Sequence, residues 1–141
     1  ACATSCIALE IKTTSFIVIG DSLHKTFEIA IFRFEVKSAG QFVYFSSLDK
    51  HLYSVNLDTG KLNWKFAASG RFFANPVIID DKIYIGATDG RMYEIDAETG
   101  KLLDFFQATE RITNQIAYNP QTQIIFLPTY ANEIYCLKKK N

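Results

Sequence analysis

Thirteen residues of this chain return after forty. Val43-Tyr44-Phe45-Ser46-Ser47-Leu48-Asp49-Lys50-His51-Leu52-Tyr53-Ser54-Val55 reappears as Ile83-Tyr84-Ile85-Gly86-Ala87-Thr88-Asp89-Gly90-Arg91-Met92-Tyr93-Glu94-Ile95. The segments that follow also match, Asp58-Thr59-Gly60-Lys61-Leu62 against Glu98-Thr99-Gly100-Lys101-Leu102. A unit of this length cannot bury a hydrophobic face alone, so copies of it must stack on one another.

Within each unit nearly every segment reads as a short strand. Ile83-Tyr84-Ile85 and Met92-Tyr93-Glu94-Ile95 are β-branched or aromatic, and Asp89-Gly90 between them is a hairpin signal because glycine accepts positive φ. The earlier copy has Asp49-Lys50-His51 at that place, which predicts a looser turn. In the second turn of each unit, the side chains of Asp58 and Glu98 are expected to accept bonds from amides two residues on, with Gly60 and Gly100 left-handed. A third strand is expected from Leu62 to Phe66 and from Leu102 to Phe106, a fourth from Ala74 to Ile79 and from Asn114 to Tyr118. Four strands in about forty residues is the content of one propeller blade.

A third copy begins at Ile125-Phe126-Leu127 and continues through Glu133 to Leu137, offset by 42 so that Tyr135 answers Tyr93. Upstream of residue 41 the repeat is degenerate, although Ile7 to Lys12, Phe16 to Gly20 and Thr26 to Val36 look extended. The last run slips its alternation between Ile31 and Phe32, as at a β-bulge. These strands are candidates to complete the blade begun at Ile125. The expected organisation is one domain over 1–141: degenerate strands in 1–41, repeats over 42–81 and 82–121, and a partial repeat over 122–141. The fold class is all-β, with blades of four antiparallel strands in an incomplete propeller of about three to three and a half blades. An opening at Ala1 without Met suggests a processed or excised piece.

Fifteen basic and fifteen acidic residues cancel, so no long-range field steers the chain toward nucleic acid or anionic lipid. The run Lys138-Lys139-Lys140 reads as a solvated chain end. No apolar run reaches the roughly 20 residues that span a bilayer as a helix. The chain's three cysteines exclude a dense disulfide scaffold, leaving free thiols or a Cys2–Cys6 clip. His24 and His51 stand in no nucleophile pattern, and no glycine-rich phosphate loop occurs.

The unit from Val43 to Trp64 resembles the repeat of pyrroloquinoline-quinone-type (PQQ-like) β-propellers. The resemblance rests on Val43-Tyr44, Asp49, Leu52-Tyr53, Val55, Asp58-Thr59-Gly60-Lys61 and Trp64, and in the second unit on Ile83 to Gly86, Asp89 to Tyr93 and Ile95 to Lys101. It implies that each blade's tryptophan docks on the neighbouring blade near its Thr-Gly turn. Trp64 with Thr59, Gly60, Thr99 and Gly100 would form these contacts. Asp104 stands where the second unit's tryptophan would be, a gap that Phe105 or Phe106 would partly fill.

Some PQQ-type relatives are dehydrogenases that hold a quinone and a calcium ion, and Asp49 and Asp89 would be the best oxygen ligands here. Both also sit in turns where aspartate is expected for backbone reasons. The favoured expectation is a non-catalytic module, without cofactor or catalytic residues, for protein–protein interaction, sensing or scaffolding. The alternatives are a fragment of a quinoprotein dehydrogenase and a self-assembling structural unit. The resemblance allows a bacterial periplasm or cell envelope, or a cytoplasm, and either a homo-oligomer or part of a longer chain. Arg71 and Arg111 recur forty apart ahead of each unit's last strand, and with Asn75 and Asn114 they mark a candidate binding face.

Overall fold

The structure, a computed structural model, describes residues 41–140 in full and the backbone of strands at 7–9, 15–19, 22–27 and 37–39. The calls on Cys2, Cys6 and the Ile31–Phe32 slip lie outside the described residues, as does most of the run from Thr26 to Val36. Among the described residues there is no helix, and the strands form four antiparallel sheets.

The first sheet contains β1 (Ile7–Leu9), β2 (Ser15–Ile19) and β3 (Ser22–Phe27). The second contains β4 (Lys37–Ala39), β5 (Phe42–Ser46), β6 (His51–Asn56) and β7 (Leu62–Ala67). The third repeats it with β8 (Val77–Ile79), β9 (Lys82–Gly86), β10 (Arg91–Asp96) and β11 (Leu102–Gln107). The fourth has β12 (Ala117–Asn119), β13 (Ile124–Pro128) and β14 (Ile134–Lys138). Strands β1–β3 pair among themselves and form a sheet of their own, whereas the sequence made them candidates to complete the blade of Ile125.

Sheet and repeat differ in phase by one strand. β8, at the end of the first sequence unit, pairs with β9 of the next through Val77–Tyr84 and Ile79–Lys82. β12 does the same with β13. The second and third sheets are therefore each built from a short preceding strand and the first three strands of a unit, and the fourth from the tail of the second unit and two strands of the next.

Burial follows from stacking. β9 is buried along four of its five residues, on both faces, because a sheet packs on either side of it. One core lies between the second and third sheets, around Tyr44, Leu52, Phe72, Ile83, Ile85, Tyr93 and Ile95. A second lies between the third and fourth, around Tyr84, Met92, Ile112, Ile116, Ile125 and Leu127. Each large side chain fully buried there contributes about 1.5–3 kcal/mol of transfer free energy. The outer strands β7 and β11 are largely exposed, as expected of strands on the rim of a stack. In both, the register slips by one residue, opposite Ser54/Val55 and Glu94/Ile95.

Candidate functional site

Three turns, one in each of the second, third and fourth sheets, line one end of the stack. They close with Ser47 N–H to His51 O, Ala87 N–H to Arg91 O and Thr129 N–H to Glu133 O, each 2.9 Å. The turn of the first unit is not looser than its copy. Lys50 takes φ +73° where Gly90 takes +80° and Asn132 takes +61°. A lysine there is strained by about 1–2 kcal/mol, and the surrounding hairpin holds it in place.

Asp49 and Asp89 cap these turns. Asp49 Oδ1 accepts the His51 amide at 2.9 Å and its Oδ2 the Tyr53 hydroxyl at 2.6 Å. Asp89 receives the Arg91 amide at 3.1 Å and a short bond from Tyr93. Burial pushes the Asp49 carboxyl up, but hydrogen bonds from Tyr53, His51 and Ser47 outweigh it and hold the group below its ordinary value. Burial, with the bond to Asp49, pushes the Tyr53 hydroxyl far up. Each aspartate is thus used within its own hairpin. Among the described residues no three His, Cys, Asp or Glu side chains converge on a point. Among the described residues, Asp49 and Asp89 are thus committed to their own turns and do not fit a calcium site. The spacing of aspartate and tyrosine four residues apart, in both copies, was the signal for these pairs.

The loops after β7 and β11 lie beside the turn of the next sheet. Arg71 N–H donates to Thr88 Oγ1 at 2.8 Å and Arg71 O accepts Thr88 N–H at 3.0 Å. One sheet on, Arg111 O accepts Tyr130 N–H at 3.0 Å. The Arg111 guanidinium sits 3.8 Å over the Tyr130 ring, and Tyr130 is 61% exposed. A cleft between the turns at Thr88–Gly90 and Tyr130–Ala131 has Glu110 and Arg111 in its wall. Asn114 opens onto an adjoining hollow with Thr129, Tyr130 and Asn132. The structure therefore gathers Arg111 and Asn114 around Tyr130. Arg71, exposed, holds the place equivalent to Arg111 one sheet earlier, and Asn75, half-buried, lies next to Ala74, the counterpart of Asn114. Tyr130 was not singled out from sequence, although an aromatic in the place of Thr88 was a readable departure from the repeat.

At the other end of β6 and β10 lie the Thr-Gly turns. Their acceptors are not Asp58 and Glu98, as expected, but Asn56 and Asp96 at the strand ends. Asn56 Oδ1 takes the amides of Asp58 and Thr59 and the Thr59 hydroxyl at 2.9–3.1 Å. Asp96 Oδ1 does the same for Glu98 and Thr99 at 2.8–3.1 Å. The amide and hydroxyl of Thr99, with the Glu98 amide, hold the Asp96 carboxyl below its ordinary value against a small opposing effect of burial. Gly60 and Gly100 have φ of +66° and +72°.

Trp64, on β7, reaches across to the third sheet. Its Nε1–H donates to Ala97 O at 3.1 Å, and Tyr44 Oη donates to the same oxygen at 3.0 Å. A Cβ at Gly100 would lie 2.4 Å from Trp64 Cδ2, so the indole lies flat against a backbone that only glycine allows. Asn63 Nδ2 adds a bond to Glu98 O at 3.3 Å. The Thr59 and Thr99 hydroxyls are engaged inside their own turns.

The same place between the third and fourth sheets is built differently. Asp104 bonds Lys140 Nζ at 2.9 Å, and Lys139 forms a short ion pair with Asp80. The Lys138–Lys140 run is thus not a simple solvated end. Two of its cations bridge back to acids 36 and 59 residues away. Phe106 packs edge-on against Tyr135 at 5.2 Å, the counterpart of Phe66 on Tyr93 at 5.3 Å. It therefore does not replace the missing tryptophan. Phe105 is exposed beneath the Arg91 guanidinium.

By fold, the chain is similar to the crystal structure of BamB from Moraxella catarrhalis, with a TM-score of 0.71 at 16% identity over 89% of this chain. It is similar to the computationally designed Ika4 protein, with a TM-score of 0.67 at 13% identity over 90% of this chain and 79% of that one. It is also similar to the quinohemoprotein alcohol dehydrogenase ADHIIG from Pseudomonas putida HK5, with a TM-score of 0.64 at 16% identity over 81% of this chain. The chain spans 43% of that BamB and 25% of that dehydrogenase. The curated proteins offer no match by sequence. The family described as outer membrane protein assembly factor BamB matches residues 28–125, and with its stacked antiparallel blades the chain belongs to this PQQ-type β-propeller family.

Proposed function

We propose that this chain is a non-catalytic, protein-binding section of a propeller, and that it binds through the end of the stack carrying Arg111, Asn114 and Tyr130. The observation that supports this most is the Arg111–Tyr130 pair, an exposed aromatic with a guanidinium stacked on it at the mouth of two hollows. Arginine and tyrosine are the side chains that most often dominate protein interfaces, and a stacked pair loses little side-chain freedom on binding. Arg71 and Asn75 extend the surface to the preceding sheet. The zero formal net charge favours a partner recognised by shape and local hydrogen bonds over one attracted by field. Membership of a family described as an assembly factor points the same way, and we extend to this chain a role in docking onto another polypeptide.

The test is site-directed photo-cross-linking in cells with the reactive residue at position 114. One discrete adduct with another protein, lost in Tyr130→Ala and Arg111→Ala, is the expected result. Adducts unaffected by both substitutions would overturn the reading. Redox turnover gained on adding quinone and calcium to the purified chain would replace it with the dehydrogenase reading.

A further inference from the structure

We draw no further inference here: the strongest candidate, the surface patch on the outer edge of the third sheet where the Arg91 guanidinium lies over the exposed Phe105 ring of β11, is an unpartnered strand edge, and nothing in the structure shows what covers it.

Discussion

The second and third sheets are joined by an aromatic lock, the third and fourth by ions over a gap. At the first seam, Trp64 and Tyr44 share the Ala97 carbonyl, and Gly100 gives the indole a flat bed. At the second, Asp104 and Asp80 reach the lysines of the chain end and a hollow remains between the sheets. The apolar cores behind the two seams are alike, Phe66 on Tyr93 answering Phe106 on Tyr135. One difference at a repeated position, tryptophan against aspartate, thus goes with a different kind of contact between neighbouring blades while the blades themselves keep their form. Burial of a ring contributes stability that salt does not screen, whereas exposed ion pairs contribute little and are screened.

The largest effect should come from breaking the lock. Trp64→Ala is expected to lower stability by about 3 kcal/mol, the low end for such truncations because the ring is half-buried. It should appear as a shift of the urea midpoint without a change of slope. Gly100→Ala should cost about 2 kcal/mol, combining a left-handed alanine with a Cβ inside the indole's contact distance. Asp104→Trp is expected to raise the midpoint by filling the gap, and a fall would show that the two seams differ in shape as well as in occupant. Lys140→Ala should leave the midpoint unchanged at physiological salt.

Acid sharpens the contrast further. The folded-state values of Asp49 and Asp96 are depressed, so their contribution is fully present above the ordinary carboxylate pKa of about 3.9 and is lost as pH falls below it. Asp104 is depressed as well, by its bond and charge interaction with Lys140. Asp96→Asn keeps an acceptor oxygen, as Asn56 does in the preceding turn, and should flatten the acid limb while retaining neutral-pH stability. Denaturation followed from pH 6 to pH 2 in low and high salt would separate the turn carboxylates, which are salt-insensitive, from the Asp104–Lys140 pair.

The blades were legible because their turns need particular residues. Asp89-Gly90 and the Thr-Gly pairs specify left-handed positions that few side chains accept, and their return after forty residues marks the period. The phase was not legible. Val77–Ile79 is only three residues long, and the forty-residue period groups it with the strands before it although just Asp80 and Asp81 separate it from β9, its partner. Lys50 adopting φ +73° was hidden for a related reason, since the hairpin around it imposes what its own preference resists. Asn56 and Asp96 were passed over for Asp58 and Glu98 because all four lie within reach of the turn amides, and only strand-end geometry selects the first pair. The lysine run looked solvated because its acids are distant in sequence. At the candidate binding end, the repeat marked Arg71 and Arg111, with Asn75 and Asn114 beside them, while Tyr130, around which Arg111 and Asn114 gather, breaks the repeat and was lost with it.

Native-state hydrogen exchange resolved by strand tests the contrast between the seams most directly. The account predicts that amides of β13 and β14, such as Ile125, Leu127 and Tyr135, exchange through a partial opening well below the free energy of global unfolding, while β9 and β10 exchange only with the whole. Equal protection across the third and fourth sheets would contradict it, and would mean that the ion pairs at Asp80 and Asp104 close that seam as firmly as Trp64 closes its own.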